Sequence, residues 1–266
     1  VGFFIASALN FTVGAHFGWR AMFLCGLAPV VVALAVRLMI KEPAKWEVKE
    51  VEAKKGSPLR EIFNSQFRQR TLVLTVLLMC SIIGLWAGAV YAPTALTQLA
   101  TKAGYTGTAI QQLVSYSSML FSFMTIVGCL TLPFFAEWLG RRKATALFFV
   151  GMLVSILVAF GYLFYQDNAL VPFIVAMAFV GYFGGNFAVY SIWIPEQYPT
   201  TIRATAFAWA ISFGRFIGAG VNLLLGWTIS QTGTLGTPVA ATAFAFAIGL
   251  AILPWAMETK GKGLPE

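Results

Sequence analysis

Residues Ser191 to Gly220 read SIWIPEQYPTTIRATAFAWAISFGRFIGAG. An apolar run stops at Pro195, a short polar turn with Glu196 and Arg203 follows, and a second apolar run carries Arg215 near its middle. An apolar run of about 20 residues forms a helix long enough to cross roughly 30 Å of hydrocarbon. The stretch therefore reads as two membrane helices joined at one face of a bilayer, with a cation kept at depth in the second.

The whole chain agrees. Of its 266 residues 59% are hydrophobic and only 11% charged, where soluble domains carry about 25% charged residues. Eight apolar runs are legible, at about 1–16, 20–39, 71–97, 109–135, 145–165, 169–193, 204–229 and 237–257. The fold class is an all-α polytopic membrane protein. The net charge of +8 would suggest nucleic acid in a soluble chain. Here the cations fall between the runs, so no nucleic-acid partner is implied and the bilayer is the partner instead. With segment 40–70 taken as cytoplasmic, that side holds Lys41, Lys45, Lys49, Lys54, Lys55, Arg60, Arg68, Arg70, Arg141, Arg142, Lys143, Arg203, Lys260 and Lys262. The other side holds Arg20 and Lys102. This asymmetry sets the orientation by the positive-inside rule, with the linker and the tail inside.

Segment 40–70 is the one long polar connector. Ser57 and Pro58 have the residue types of a helix start, so a short amphipathic helix on the membrane surface is expected there. Gly84 and Gly88, and Gly214 and Gly218, are spaced for close helix packing. Pro93, Pro133 and Pro195 lie near expected span ends, and Pro29 is placed to kink the second span. Cys25, Cys80 and Cys129 sit inside apolar runs and His16 near a helix end. No metal-ligand spacing or catalytic set is present, so neither a metal, a cofactor nor an enzymatic activity is expected. The Asn10 sequon lies inside an apolar run and is discounted.

Two cytoplasmic turns carry a resemblance. FFAEWLGRRKA at 134–144 is similar to the D-R-x-G-R-R loop of the major facilitator superfamily, with Glu137 for Asp, Trp138 for the first Arg, and Gly140, Arg141 and Arg142 matching. In IPEQYPTTIRATA, residues Pro195, Glu196, Pro199 and Arg203 match the P-E-x-x-P-x-x-x-R of its sugar-porter-like branches. EPAKW at 42–46 is a looser likeness of the P-E-S-P-R-W linker motif, and GWRAMF at 18–23 resembles the start of the preceding helix.

The resemblance implies helices 5 to 12 of a twelve-helix transporter, with about the first four outside this chain, whose first residue Val1 already lies in an apolar run. Residues 1–39 are then the last two helices of the N-terminal bundle, 40–70 the linker, 71–257 the C-terminal six-helix bundle and 258–266 the tail. It further implies that Glu137, Arg141, Arg142, Glu196 and Arg203 form a cytoplasmic gate, as paired charges that hold and part; the alternative is that the cations are topology anchors only.

Within the family, Gly84, Tyr91 and Pro93 resemble a sugar-porter helix, but Cys80, Ser81 and Trp86 replace its sugar-binding amides, and Asn186 and Ser191 stand where tryptophans are usual. Hexose is demoted accordingly. No Asp or Glu lies deep in an apolar run, so Arg215 is costly unless it faces a cavity or partner. It is either a packing arginine or a fork for a carboxylate. The family likeness favours the latter, since organic-anion carriers are similar here in having a basic residue.

The expected function is a secondary transporter for a small organic anion such as an aromatic or sugar acid, by alternating access. Trp86, Tyr91, Asn186, Tyr190, Ser212 and Asn222 are set around Arg215 to bind it. Proton symport is implied only by the resemblance, and a facilitator or exchanger fits equally. A sugar or organic-cation carrier, or a non-transporting membrane sensor on this scaffold, is the alternative. The expected location is the bacterial inner membrane.

Overall fold

The computed structural model describes residues 2–39, 57–263 and 265. All secondary structure among them is helical. Helix α1 is Gly2–Gly14, α2 His16–Met39, α4 Arg68–Lys102, α5 Thr108–Leu139, α6 Arg141–Tyr165, α7 Leu170–Trp193, α8 Thr200–Thr232 and α9 Gly236–Trp255. A single turn, α3, covers Pro58–Glu61. Among the described residues seven helices are long and apolar enough to cross a membrane. The expected eighth, α1, falls short of the about 20 residues a crossing needs.

The expected break between the first two runs is present. The chain kinks at Gly18, whose φ of 77° suits glycine alone. α2 is interrupted again at Gly26–Leu27, just before Pro29. Pro93 and Pro133, expected near span ends, are instead inside α4 and α5, because both helices run on past the hydrocarbon length. The expected surface helix is only the turn α3, and Ser57 makes no side-chain cap there. Ile62 behind it is fully buried, and the Phe63 ring meets Trp209 of α8 edge-on at 5.0 Å. The Lys/Glu-rich stretch 40–56, with the EPAKW likeness, lies outside the described residues.

α4 is the hub of the bundle. α8 lies along it, α9 packs on it and on α6, and α7 fits against α5 and α6. Between helices in lipid there is little hydrophobic gain, so close backbone approach and van der Waals contact hold the bundle. The α5–α7 crossing shows this: a Cβ on Gly128 would come within 2.0 Å of the Tyr182 carbonyl oxygen. α1 leans on α5, where the Asn10 amide donates to Ser115 Oγ at 2.8 Å. α2 buries none of its apolar window.

α8 has three faces. Ile202, Ala206, Ala210, Gly214, Gly218 and Leu225 are buried, and a Cβ on Gly214 or Gly218 would press on Ile82 of α4. Phe216, Leu223, Leu224 and Trp227 are large, apolar and exposed. Between these two faces runs a stripe of mostly small and polar residues, with Ile211 and Ile229 among them, that carries Arg215.

Candidate functional site

With about 100° between successive helical residues, Ile211, Ser212, Ala219 and Asn222 lie within about 60° of Arg215 around α8. Phe216, Leu223 and Trp227 are turned further away, by about 80° or more. Arg215 thus lies between the packed face and the large apolar face. It is exposed and makes no hydrogen bond or ion pair among the described residues. It sits close to the midpoint of α8, the depth at which a cation is costliest.

α4 supplies the other wall of this seam. The Trp86 indole crosses Gly218, within 3.5 Å of where its Cβ would be. The Tyr91 hydroxyl donates to the Asn222 backbone oxygen at 3.0 Å. Trp86 and Tyr91 therefore meet α8 at Gly218 and Asn222, on the helix that also carries Ser212 and Arg215.

The other two candidates turn inward. Tyr190 is fully buried in α7 and its hydroxyl bonds Ser81 of α4 at 2.9 Å. Asn186 is 1% exposed. Its Nδ2 donates to the Phe183 carbonyl at 2.9 Å, and its Oδ1 has no partner among the described residues. Asn186 lies in a 3₁₀ turn, Gly185–Ala188, that interrupts α7.

The two charged turns, 134–144 and 194–206, converge on Arg141. Its Nε and Nη2 donate to the two Glu196 carboxylate oxygens at 3.0 and 2.6 Å. Nη2 also lies 2.7 Å from Glu137, one turn earlier, and Nη1 donates to the Ala136 carbonyl at 3.1 Å. The forked contact uses the planar guanidinium in the way that favours Arg over Lys. Arg141 is 5% exposed, so its charge is tolerated only because every side is occupied.

The other two expected gate cations do not pair with a carboxylate among the described residues. Arg203 donates to the carbonyls of Tyr198 and Pro265. Arg142 contributes its backbone N–H, which donates to Glu258 at 3.1 Å.

Glu258 is the participant that sequence reasoning missed. Its carboxylate accepts from the backbone N–H groups of Arg141 and Arg142 at the start of α6, and of Thr259 and Lys260. Burial works against its charge, but these four donors outweigh it and hold the carboxyl below its usual 4.5. The Thr259 hydroxyl donates to Glu196, and the Trp193 indole N–H donates to the Met257 carbonyl at 2.8 Å. The tail is thereby tied to α6 and to the α7–α8 turn. A signal did exist. α6 starts after Gly140, with φ of 90°, and glycine has no side chain to cap the first N–H groups. An acceptor from elsewhere was needed. A Cβ at Gly140 would stand 2.8 Å from the Glu258 carboxylate, so the close approach also requires glycine.

A helical bundle of membrane-spanning length, with an ionic network at one end of its helices and a lone cation at depth, defines an integral membrane protein. The chain belongs to the Major Facilitator Superfamily, whose family model matches residues 1–223. It is similar to the "Probable 4-methylmuconolactone transporter" of Cupriavidus pinatubonensis, 27% identical over 97% of this chain and 58% of that protein. It is also similar to two proteins of Acinetobacter baylyi. One is the "Niacin transporter NiaP", 23% identical over 99% of this chain and 64% of that protein. The other is the "Cis,cis-muconate transport protein", 24% identical over 93% of this chain and 59% of that protein. The chain spans about three fifths of the length of these curated relatives.

Proposed function

We propose that this chain forms the C-terminal part of a secondary transporter for a small organic anion, with Arg215 as the group that reads the anion. The observation that carries the reading is the placement of Arg215. It is mid-membrane, unpartnered among the described residues, and set in a mostly small and polar stripe instead of the Phe/Leu/Trp face. A cation there is stable only toward water, an acid or a ligand. Its planar fork suits a carboxylate, Trp86 and Tyr91 offer flat apolar surface where α4 meets α8 at Gly218 and Asn222, and Ser212 and Asn222 offer polar groups on the same helix. The names of the relatives, for muconate, methylmuconolactone and niacin transport, support a small acidic metabolite as the substrate class.

On this reading residues 1–39 are the last two helices of an N-terminal half, 71–257 are the C-terminal six-helix bundle, and the anion lies between the halves. The Arg141–Glu196–Glu137 network, with Glu258, braces the cytoplasmic ends of α5 to α9. The bundle would then rock as one body while access alternates. Proton coupling, if present, draws on an acid outside the spans described here. The side bearing the brace is cytoplasmic by the Lys/Arg distribution, and the membrane is a bacterial inner membrane.

The test is uptake by the full-length protein in proteoliposomes under an imposed pH gradient. The panel is aromatic acids, dicarboxylates, sugar acids, hexoses and organic cations, for wild type and Arg215→Gln. Carboxylate uptake that Arg215→Gln abolishes supports the reading. Uptake of a hexose or a cation that is indifferent to Arg215 overturns it.

A further inference from the structure

α6 and α7 leave an apolar groove between them on the outside of the bundle, with a volume of about 420 Å³. Leu147, Val150, Val154 and Val158 of α6 form one wall and Phe179 of α7 the other, with Gly151 in the floor. The five wall residues are between 41% and 52% exposed, so the groove is open to the surroundings of the bundle. At 1.5 Å per residue the stretch from Leu147 to Val158 is about 16 Å long. That is about half of the roughly 30 Å hydrocarbon core, and its midpoint, at Met152–Leu153, coincides with the midpoint of α6. The volume spread over that length corresponds to a trough about 5 Å across.

The two ends of the groove differ in charge. One helical turn before Leu147, on the same side of α6, is Lys143. It is exposed and makes no hydrogen bond or ion pair among the described residues. Past Val158 the exposed side chain of Tyr162 follows on the same side of α6. The groove therefore starts one turn from a cation near the first residue of α6 and runs through the middle of that helix between mostly apolar walls.

We propose that this groove is a binding site for one anionic phospholipid. One acyl chain lies along Leu147 to Val158, and the headgroup phosphate is held by the Lys143 ammonium. A cation beside an anionic headgroup contributes about 1 kcal/mol, a factor of about five in occupancy. The inference requires the chain to sit in a bilayer but not that it transports anything, so it can fail while the transport reading stands.

The test is lipid retention by the full-length protein, purified from bilayers containing equal phosphatidylglycerol and phosphatidylcholine and weighed by native mass spectrometry. Wild type and Lys143→Arg are expected to retain one phosphatidylglycerol at about five times the level of phosphatidylcholine. Lys143→Gln is expected to remove the preference. Val154→Trp, which fills the groove from its exposed wall without entering the core, is expected to remove the bound lipid itself. Equal retention of both lipids by wild type overturns the proposal. So does a preference that survives Lys143→Gln, or phosphatidylglycerol retention unchanged by Val154→Trp.

Discussion

Arg141 and Arg215 are both arginines in apolar surroundings, and the structure treats them in opposite ways. Arg141 is 5% exposed and makes a fork with Glu196, a contact with Glu137 and a bond to a backbone carbonyl. Arg215 is exposed and has no such contact among the described residues. A buried charge with all its donors used is part of the framework, and removing one side leaves the other uncompensated. A charge left open at mid-depth does nothing for the framework, so its cost has to be met by whatever approaches it. The two positions should therefore fail in different assays.

The largest expected effect is on stability. Arg141→Gln strands Glu196 beside a partly buried apolar surface and is expected to lower stability by about 3–5 kcal/mol, the range for breaking a buried pair from one side. Thermal unfolding of the full-length protein in detergent checks it. A melting temperature within a degree of wild type would show the network to be idle.

Arg215→Gln is expected to leave that temperature unchanged, since changes at exposed sites stay within about 0.5 kcal/mol. It is expected to reduce carboxylate uptake about a hundredfold, as loss of one partner of a charged contact does. If Arg215→Gln unfolds the protein instead, the contrast between the two arginines collapses.

Gly214→Ala tests whether the position of Arg215 matters as well as its charge. A Cβ there comes 2.7 Å from Ile82 Cδ1, a side-chain tip that can yield. The expected cost is about 1–2 kcal/mol of overpacking, with uptake reduced but not abolished. Uptake rates on a panel of Gly214 variants should fall with side-chain volume.

The smallest effect is at Glu258. Its folded-state pKa is depressed, so its contribution is present above the usual 4.5 and is lost as pH falls through the folded value. Glu258→Gln keeps an acceptor but loses the charge, with an expected cost of about 1 kcal/mol at neutral pH, as for a weakened N-cap. Wild type and variant should converge in stability as pH falls from 4.5 through the lower folded-state value. A gap that persists in acid would mean that geometry, not charge, does the capping.

Much of the fold was legible because hydropathy in a bilayer is a demand on length, and each run from 71 onward coincides with a long helix. Helix ends were placed several residues short, because α4 and α8 continue beyond the hydrocarbon where sequence gives no apolar signal. The pairing of the two charged turns was readable in outline from Glu137, Arg141 and Glu196. The identity of the working cations was not. Arg142 matches the same motif as Arg141 and Arg203 matches the motif of the other turn, and only three-dimensional placement shows that they bond through the backbone or to carbonyls.

Asn186 and Tyr190 show the limit from the other side. A polar residue in an apolar run serves equally as a ligand contact or as an internal bond, and Tyr190 spends its hydroxyl on Ser81. Glu258 was unreadable locally because it caps a helix far from it in sequence.

That last separation has a consequence in time. The Glu258 carboxylate and the Arg141 N–H that it caps are 117 residues apart. At about 5–20 residues per second of synthesis, the start of α6 waits roughly 6–23 s for its acceptor to be made. By then all the helices described here have been made. Closure of the brace is thus a late event in biogenesis, and it reports that α9 has reached its place. A fusion tag or a premature stop near residue 258 would act at a distance, on the first turn of α6. Poor yield of tail-modified protein would then reflect an open helix start 117 residues upstream, with the altered end itself blameless.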